Sequence, residues 1–473
     1  MKRVLALFAL SVATACAGDK SDVNYVQPGY VKKEDLLGKT WYYRRTVIDS
    51  PEGFQDVGYA TIGSGDLYTL ERVRFDIQEK YLIAYRDFEG VQGADSTQDT
   101  TQYLGNPVVA FPITNHFDIA RRYSAASGEE TNVIEENTTD REWFDRGFMR
   151  VEWERTLMSS QDYYLIAVDY LDNDGQDGGE LYYHENDATN PWRARINPDA
   201  GYLDFVVLHR LQPDYGACYY AYGATGCGAG EVRVRHAFVQ VDEAQNSGYE
   251  PLYYPDSVPV LDANGSEIAD SVTSEVVREP VFEKFGYYRL ERLTYNDERG
   301  LTESGRLNRI LRFDLWDRSV DDAGNVIPYA LRTVRPITYH LNYDFPSDLY
   351  ATADDVAAQW NDAFRDAVAA MQGVPKDTVP TVFELHRNAC SVAGVTDYLD
   401  NHRKIGDKVR DAVDAALSAD TLDNYCAAAE YFSQGEKTRF VWQQVGDPRY
   451  NMLVWVTDVT QTGWSGYGPM MAD

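Results

Sequence analysis

Alternating apolar and polar positions along residues 36–334 predict a series of β-strands. Between residues 72 and 77, charged and apolar side chains alternate with the two-residue period of a half-buried strand. Similar runs, separated by turn-forming residues, predict strands at 40–48, 72–77, 81–86, 148–153, 163–168, 203–209, 231–241, 287–293 and 309–315. Because no helical period intervenes, these runs indicate an all-β, antiparallel region, folded like a sandwich or a barrel in one or two domains.

The pattern changes to that of an α+β region at residues 335–473. Apolar side chains recur at helical spacing between 352 and 371, and Trp360 and Phe364 lie on the face expected to be buried. Thr352 is expected to cap this helix. Strands are predicted at 336–343, 381–385, 440–445 and 451–457, and further helices at 395–419 and 422–433. The sequence therefore predicts a multidomain protein.

The N-terminus has the features of an export signal. A charged start and a short apolar run predict a secretory signal peptide over residues 1–15. Cys16, directly after small residues, resembles the lipobox cysteine of bacterial lipoproteins, which is acylated and becomes the mature N-terminus. An ordinary signal with an incidental cysteine is the alternative. The resemblance implies an exported outer-membrane lipoprotein facing the periplasm or the cell surface, with residues 16–35 as its tether.

Four cysteines remain after Cys16. An even number in an exported chain predicts two disulfides, for which three pairings are possible. Proximity in the sequence favours Cys218 with Cys227 and Cys390 with Cys426. A metal–thiolate site is the alternative, although the chain has no Cys-x-x-Cys pair.

Charge and composition exclude several classes of protein. The chain has 44 Lys and Arg against 75 Asp and Glu, a formal net charge of −31. Such a chain is repelled by phosphate backbones, so we expect no nucleic-acid partner. Its 44% of hydrophobic residues is sufficient for a large core and excludes a disordered protein.

Several segments resemble the metzincin-like zinc metalloproteases. Pro336-Ile337-Thr338-Tyr339 and then Trp360-Asn361-Asp362-Ala363-Phe364 resemble the opening of that catalytic domain. Residues 449–456, followed by Gly466-Tyr467-Gly468-Pro469, resemble its closing segment. More narrowly, the chain is similar to large exported bacterial zinc-dependent metalloproteases with a long β-rich region ahead of the protease domain. Residues 112–119 look typical of the lipoproteins in this group.

The resemblance implies a zincin-like half-domain at 335–473 and, in a full-length product, zinc-dependent hydrolysis of polypeptide substrates. That chemistry needs His-Glu-x-x-His, in which two histidines on one helix face bind zinc and the glutamate activates water. The only His-Glu pair is His184-Glu185, and none of the seven histidines has a partner four residues away. The sequence is therefore expected to end before the catalytic helix, and no catalytic or metal residue is assigned.

The resemblance also implies where a substrate would lie. A peptide would pair as an added strand beside the last predicted strand and the loop after it. The residues concerned are Asn451, Leu453, Trp455, Gly466, Gly468 and Pro469. The alternative is a non-catalytic surface lipoprotein whose β region binds a partner or a polysaccharide.

An oxygen-rich loop is a weaker candidate for a cofactor site. Its carboxylates could surround calcium, but the loop lacks the glutamate at the twelfth position. A hairpin turn of Asn, Asp and Gly residues is therefore favoured. The carboxylates are Asp172, Asp174 and Asp177.

Two further sets of polar residues could serve as acid–base groups. His116 could pair with Asp118 or Asp140, although a structural contact at a strand end is favoured. Neighbouring carboxylates such as Glu135 and Glu136 could serve glycosidase chemistry. In so acidic a chain, we expect these glutamates to be solvated surface residues.

Overall fold

The computed structural model is mostly β-structure with one long helix. It describes residues 21–49, 70–87, 104–153, 155–157, 160–163, 166–170, 182–184, 194–213, 230–242, 248–250, 252–254, 257–280, 289–296, 300–310, 312–342, 345–388 and 443–455.

Fourteen of the described strands join in one large sheet. The strands are β1 (Val23–Asn24), β2 (Tyr30–Lys32), β3 (Thr40–Asp49), β4 (Glu71–Ile77), β5 (Tyr81–Asp87), β6 (Leu104–Tyr123), β7 (Glu130–Asn137), β8 (Phe148–Val151), β9 (Ser160–Tyr163), β10 (Ile166–Tyr170), β11 (Tyr182–His184), β12 (Arg195–Asn197), β13 (Tyr202–Pro213) and β14 (Gly230–Gln240). Their hydrogen-bonded order is β1-β7-β6-β5-β4-β3-β14-β13-β10-β9; β8 pairs with β2 and β6, and β11 and β12 pair with β13.

The β-rich region predicted from the alternating pattern is confirmed, with one difference in strand direction. In β4, Val73 and Phe75 are buried, while Arg72 and Arg74 lie on the opposite face and are partly exposed. Most neighbouring strands are antiparallel, but β1 runs parallel to β7. The sheet is therefore mixed, since the first strand of the chain joins its outer edge parallel to its neighbour.

The large sheet curls around an aromatic core. Phe111 of β6 and Phe205 of β13 are separated by four strands in the sheet order, yet their ring centroids are 5.5 Å apart. In a flat sheet, five strand spacings would separate them by roughly 24 Å. Trp153, which follows β8, lies 5.0 Å from Phe111 and 5.5 Å from Phe205, so it fills the space inside the curl.

β6 changes partners along its twenty residues. It pairs with β5 from Leu104 to Pro112, with β8 around His116, and with β7 near its end. A register shift between Ile113 and Asn115 breaks the alternation, so that His116 and Phe117 are both buried. Neither β6 nor β7 was predicted as a strand. β6 contains prolines, and its pairing register is irregular.

Part of the predicted tether belongs to the sheet. β1 and β2 lie within residues 16–35 and pair with β7 and β8. Asp22 forms an ion pair with Arg121 at 2.8 Å. Val23–Asn24 and Tyr30–Lys32 are therefore paired into the sheet and do not form a free tether.

Five further strands form two small sheets. The strands are β15 (Tyr253–Tyr254), β16 (Ser257–Pro259), β17 (Arg278–Pro280), β18 (Arg289–Asn296) and β19 (Gly300–Ile310). β15, β19 and β18 form one sheet, and β16 pairs with β17 in the other. The strand predicted at 309–315 is displaced, because β19 ends at Ile310.

The last described elements form a parallel sheet with a crossover helix. They are β20 (Ile337–Leu341), α1 (Tyr350–Gln372), β21 (Phe383–His386) and β22 (Asn451–Leu453). The strand order is β21-β20-β22, and α1 connects β20 to β21. The predicted succession of strand, helix and strand is confirmed, but Thr352 is not the cap. A 3₁₀ turn at Ser347–Leu349 leads directly into α1.

α1 buries a different face from the one predicted. Val368 and Ala369 pack against Trp316 in a small core, with Phe364 partly buried beside it. Trp360, expected in the core, is 54% exposed. The buried residues of α1 are Ala353, Ala357, Val368 and Ala369.

Candidate functional site

An open cleft of about 630 Å³ lies where β6 leaves β5 and pairs with β8. The volume of this cleft is within the range typical of small-molecule binding sites. Four segments meet there: the β4–β5 turn, the middle of β6, the β7–β8 loop and the segment after β8. Its lining residues include Lys80, Tyr81, Asn115, His116, Trp143 and Arg146.

His116 is the most buried polar side chain of the cleft lining, with 4% of its surface exposed. Its Nε2 lies 2.9 Å from the backbone oxygen of Glu79. Because a carbonyl oxygen only accepts, Nε2 carries the proton, and the neutral ring keeps a lone pair on Nδ1. Burial lowers the pKa of His116 below its ordinary value of 6.5, so the ring is neutral at pH 7.

The Nδ1 atom of His116 has no hydrogen-bond partner within the described chain. An unpaired buried acceptor costs roughly 1–3 kcal/mol. The atom itself is fully buried, so it is not presented to a ligand in the cleft.

Aromatic rings lie beside this acceptor. The ring of Trp143 is 5.1 Å from that of His116, and Tyr81 forms part of the same lining. Lys33 holds the Trp143 segment in place, because its Nζ donates to the Trp143 carbonyl oxygen and lies 5.5 Å from the ring centroid. Phe144, next in the chain, is 61% exposed. The cleft thus combines aromatic surface with polar groups.

The cations at the cleft differ in how they are paired. Arg155 forms an ion pair with Glu152 at 3.2 Å. Arg146 instead donates to the backbone oxygens of His116 and Arg141, at 3.1 and 2.8 Å. Within the described part of the chain, neither Arg146 nor Lys80 forms an ion pair.

A further cation, Lys33, lies beside Trp143. Burial and, to a smaller extent, the positive charge of Arg146 lower the pKa of Lys33 from 10.5 to about 8, although the nearby Asp118 raises it. Lys33 is therefore still mainly charged at pH 7.

The proposed pairing of His116 with Asp118 or Asp140 is wrong. The Asp118 carboxylate accepts from Arg141 Nε and from the Gly147 amide, at 2.8 and 2.9 Å. Asp140 accepts from the Asn137 side chain at 2.7 Å. His116 makes a structural contact with the Glu79 backbone, as the favoured alternative expects, but it lies in the middle of β6 and not at a strand end.

Glu135 and Glu136 are not simply solvated. Glu135 pairs with Arg122, and Glu136 binds Arg150 at 2.7 Å with its side chain only 17% exposed. Each of these guanidinium groups holds its carboxylate in the charged form and lowers its pKa. Both glutamates are therefore occupied in ion pairs on the large sheet.

A pair of histidines meets on the C-terminal sheet, although the sequence places them far apart. His340 and His386 are register partners on β20 and β21, with ring centroids 5.6 Å apart. Glu384 lies 3.1 Å from His386 Nε2. Burial and the neighbouring His386 both lower the pKa of His340. Nevertheless, the described residues contain no group of three or more His, Cys, Asp or Glu able to hold a metal ion.

The predicted substrate edge is described only in part. Asn451 and Leu453 belong to β22, which pairs with β20, and Leu453 and Trp455 are partly exposed. Asn342 extends this pairing, because its side chain bonds the backbone of Trp455 in both directions at 2.7 and 3.0 Å. Peptide binding at this edge stays a prediction.

Several predicted sites lie outside the described residues. They are Cys16, Cys218, Cys227, Cys390 and Cys426, the carboxylates Asp172, Asp174 and Asp177, and the loop residues Gly466, Gly468 and Pro469. The lipid attachment, the disulfides and the calcium alternative therefore remain predictions.

Comparisons with protein-family models, with curated proteins and with solved structures found no match. In the portion that the structure describes, no helix is both long and apolar enough to span a membrane.

Proposed function

We propose that the β-rich region is the saccharide-binding part of an exported, lipid-anchored protein, and that the cleft at His116 and Trp143 is its ligand site. The observation that carries the proposal is the open cleft in which the rings of Tyr81 and Trp143 lie beside the polar side chains of Asn115 and Arg146. Sugar hydroxyls form hydrogen bonds with such polar side chains, and the apolar face of a sugar ring packs on an aromatic side chain.

The backbone of the cleft favours a saccharide over a peptide. The Ile113 amide donates to the Lys80 carbonyl at 2.8 Å, and the Pro112 carbonyl accepts from the Glu152 amide at 2.9 Å. Peptides that add as strands need free backbone groups of this kind. Recognition at this cleft would therefore rely on side chains.

Binding to a panel of neutral and acidic oligosaccharides, measured by calorimetry on the full chain, tests the proposal. We expect Trp143→Ala to weaken the binding of the best ligand by ~10-fold or more, equivalent to about 1.4 kcal/mol. Trp360→Ala is the matched control, because Trp360 is exposed on α1. Equal losses in the two variants, or no saccharide binding by the wild type, would contradict the proposal.

The peptidase function implied by the resemblance is the competing proposal. The parallel sheet with a crossover helix at 337–386 supports it, in the order that the resemblance implies. The same preparation separates the two proposals. Stoichiometric zinc and cleavage of casein, without saccharide binding, would favour the peptidase.

The membrane anchor is proposed from Cys16 alone. In cells supplied with radiolabelled palmitate, we expect the wild-type chain to be labelled and Cys16→Ser to be unlabelled. A Cys16→Ser chain that keeps its label would exclude acylation at this residue.

A further inference from the structure

We infer that the ligand of the cleft is an acidic saccharide, whose negative group lies between Arg146 and Lys80. This inference rests on the proposed function and names its substrate class. It is carried by two cations that line one cleft and have no ion pair in the described part of the chain.

Arg146 and Lys80 differ from nearby arginines, which form ion pairs with carboxylates. On the same sheet, Arg122, Arg141 and Arg150 each bind a carboxylate of a neighbouring segment. In a chain of net charge −31, carboxylates are abundant. Glu79 and Glu152 also line the cleft, but Glu152 pairs with Arg155, and neither forms an ion pair with Arg146 or Lys80 in the described part of the chain. Arg146 and Lys80 are therefore available to an anionic ligand.

The hydrogen-bonding geometry of Arg146 supports this role. Its Nε and Nη1 donate to backbone oxygens, which fix the plane of the guanidinium group beside His116. A guanidinium group has five donors, and those not used by the backbone remain for a ligand. A fixed guanidinium group binds a carboxylate with little loss of side-chain freedom.

The three kinds of group match different parts of one molecule. Arg146 and Lys80 would bind the negative group, the Asn115 side chain would bind a hydroxyl, and Trp143 would contact the sugar ring. Lys33, whose Nζ lies 5.5 Å from the Trp143 ring centroid, adds a further positive charge beside the cleft. An acidic peptide offers carboxylates without the hydroxyl-rich ring.

A matched pair of probes tests the inference on the full chain. Oligogalacturonate carries a carboxylate on every sugar, and its methyl ester has the same sugar backbone without the charge. We expect the acid to bind at least ~10-fold more tightly at low salt, with a difference that decreases as salt screens the charges. A sulfated oligosaccharide distinguishes sulfate from carboxylate as the source of the negative group.

Variants then assign the effect to the cleft. Arg146→Gln and Lys80→Gln should each reduce the preference for the acid over the ester, whereas Arg122→Gln should not, because Arg122 already binds Glu135. Lys80→Gln is the safer variant, since Lys80 lies exposed in a turn. Equal binding of acid and ester would overturn the inference while the proposed function stands. Equally tight binding of oligoglutamate would overturn the saccharide class.

Discussion

Replacing Phe111 with alanine should lower the free energy of unfolding by about 3–5 kcal/mol, the cost typical of removing a buried aromatic ring. Phe111 is fully buried and contacts Trp153 and Phe205. The three residues come from β6, from the segment after β8 and from β13, so the cavity would weaken the closure of the curl. Urea denaturation followed by tryptophan fluorescence measures the change.

Phe144→Ala is the control for Phe111→Ala, since it removes the same atoms from an exposed ring. We expect it to change stability by about 0.5 kcal/mol or less. A double-mutant cycle between Phe111→Leu and Phe205→Leu should give a coupling of roughly 0.5–1.5 kcal/mol. Independent effects would contradict the curled arrangement, because residues four strands apart in a flat sheet do not touch.

The alternating pattern predicted the strands whose two faces differ. In β4, Val73 and Phe75 point into the core, while Arg72, Arg74 and Asp76 lie on the opposite face. β6 did not follow this rule, because its register shifts beside Asn115 and buries His116 and Phe117 in succession. Local pattern specifies a strand only where the pairing is regular.

The cleft could not be predicted in the same way. Residues 112–119 were singled out by resemblance, but the partner of His116 is the backbone of Glu79, which no side-chain pattern records. The availability of Arg146 depends on which carboxylates its neighbours bind, and that is decided by the tertiary structure. The histidine pair of the C-terminal sheet was missed because His340 and His386 lie on different strands.

The contacts of the turn before β22 also form only in the tertiary structure. Residues 443–450 pack against the large sheet, where Gln444 bonds Arg235 and the Arg449 guanidinium group lies 3.7 Å from the Tyr202 ring centroid. Gly446 lies in this turn against Thr46 of β3. This contact joins the C-terminal sheet to the β-rich region.

Gly446→Ala should therefore destabilise the protein by about 2–5 kcal/mol, through two separate costs. Its φ of +87° is unfavourable for any residue with a Cβ, which costs roughly 1–2 kcal/mol. The new Cβ would also lie 2.6 Å from the Cβ of Thr46, a clash that costs about 1–3 kcal/mol in a packed site. Urea denaturation of the full chain measures the sum.

Gly38→Ala separates the two costs. Gly38 has a φ of +71°, but a Cβ there would meet no atom within 4 Å, so only the backbone cost remains. We expect Gly446→Ala to be the more destabilising of the two by at least about 1 kcal/mol. Equal losses in the free energy of unfolding would mean that a Cβ at residue 446 does not clash with Thr46. The turn would then not fix the C-terminal sheet to the β-rich region, and the two parts would unfold independently.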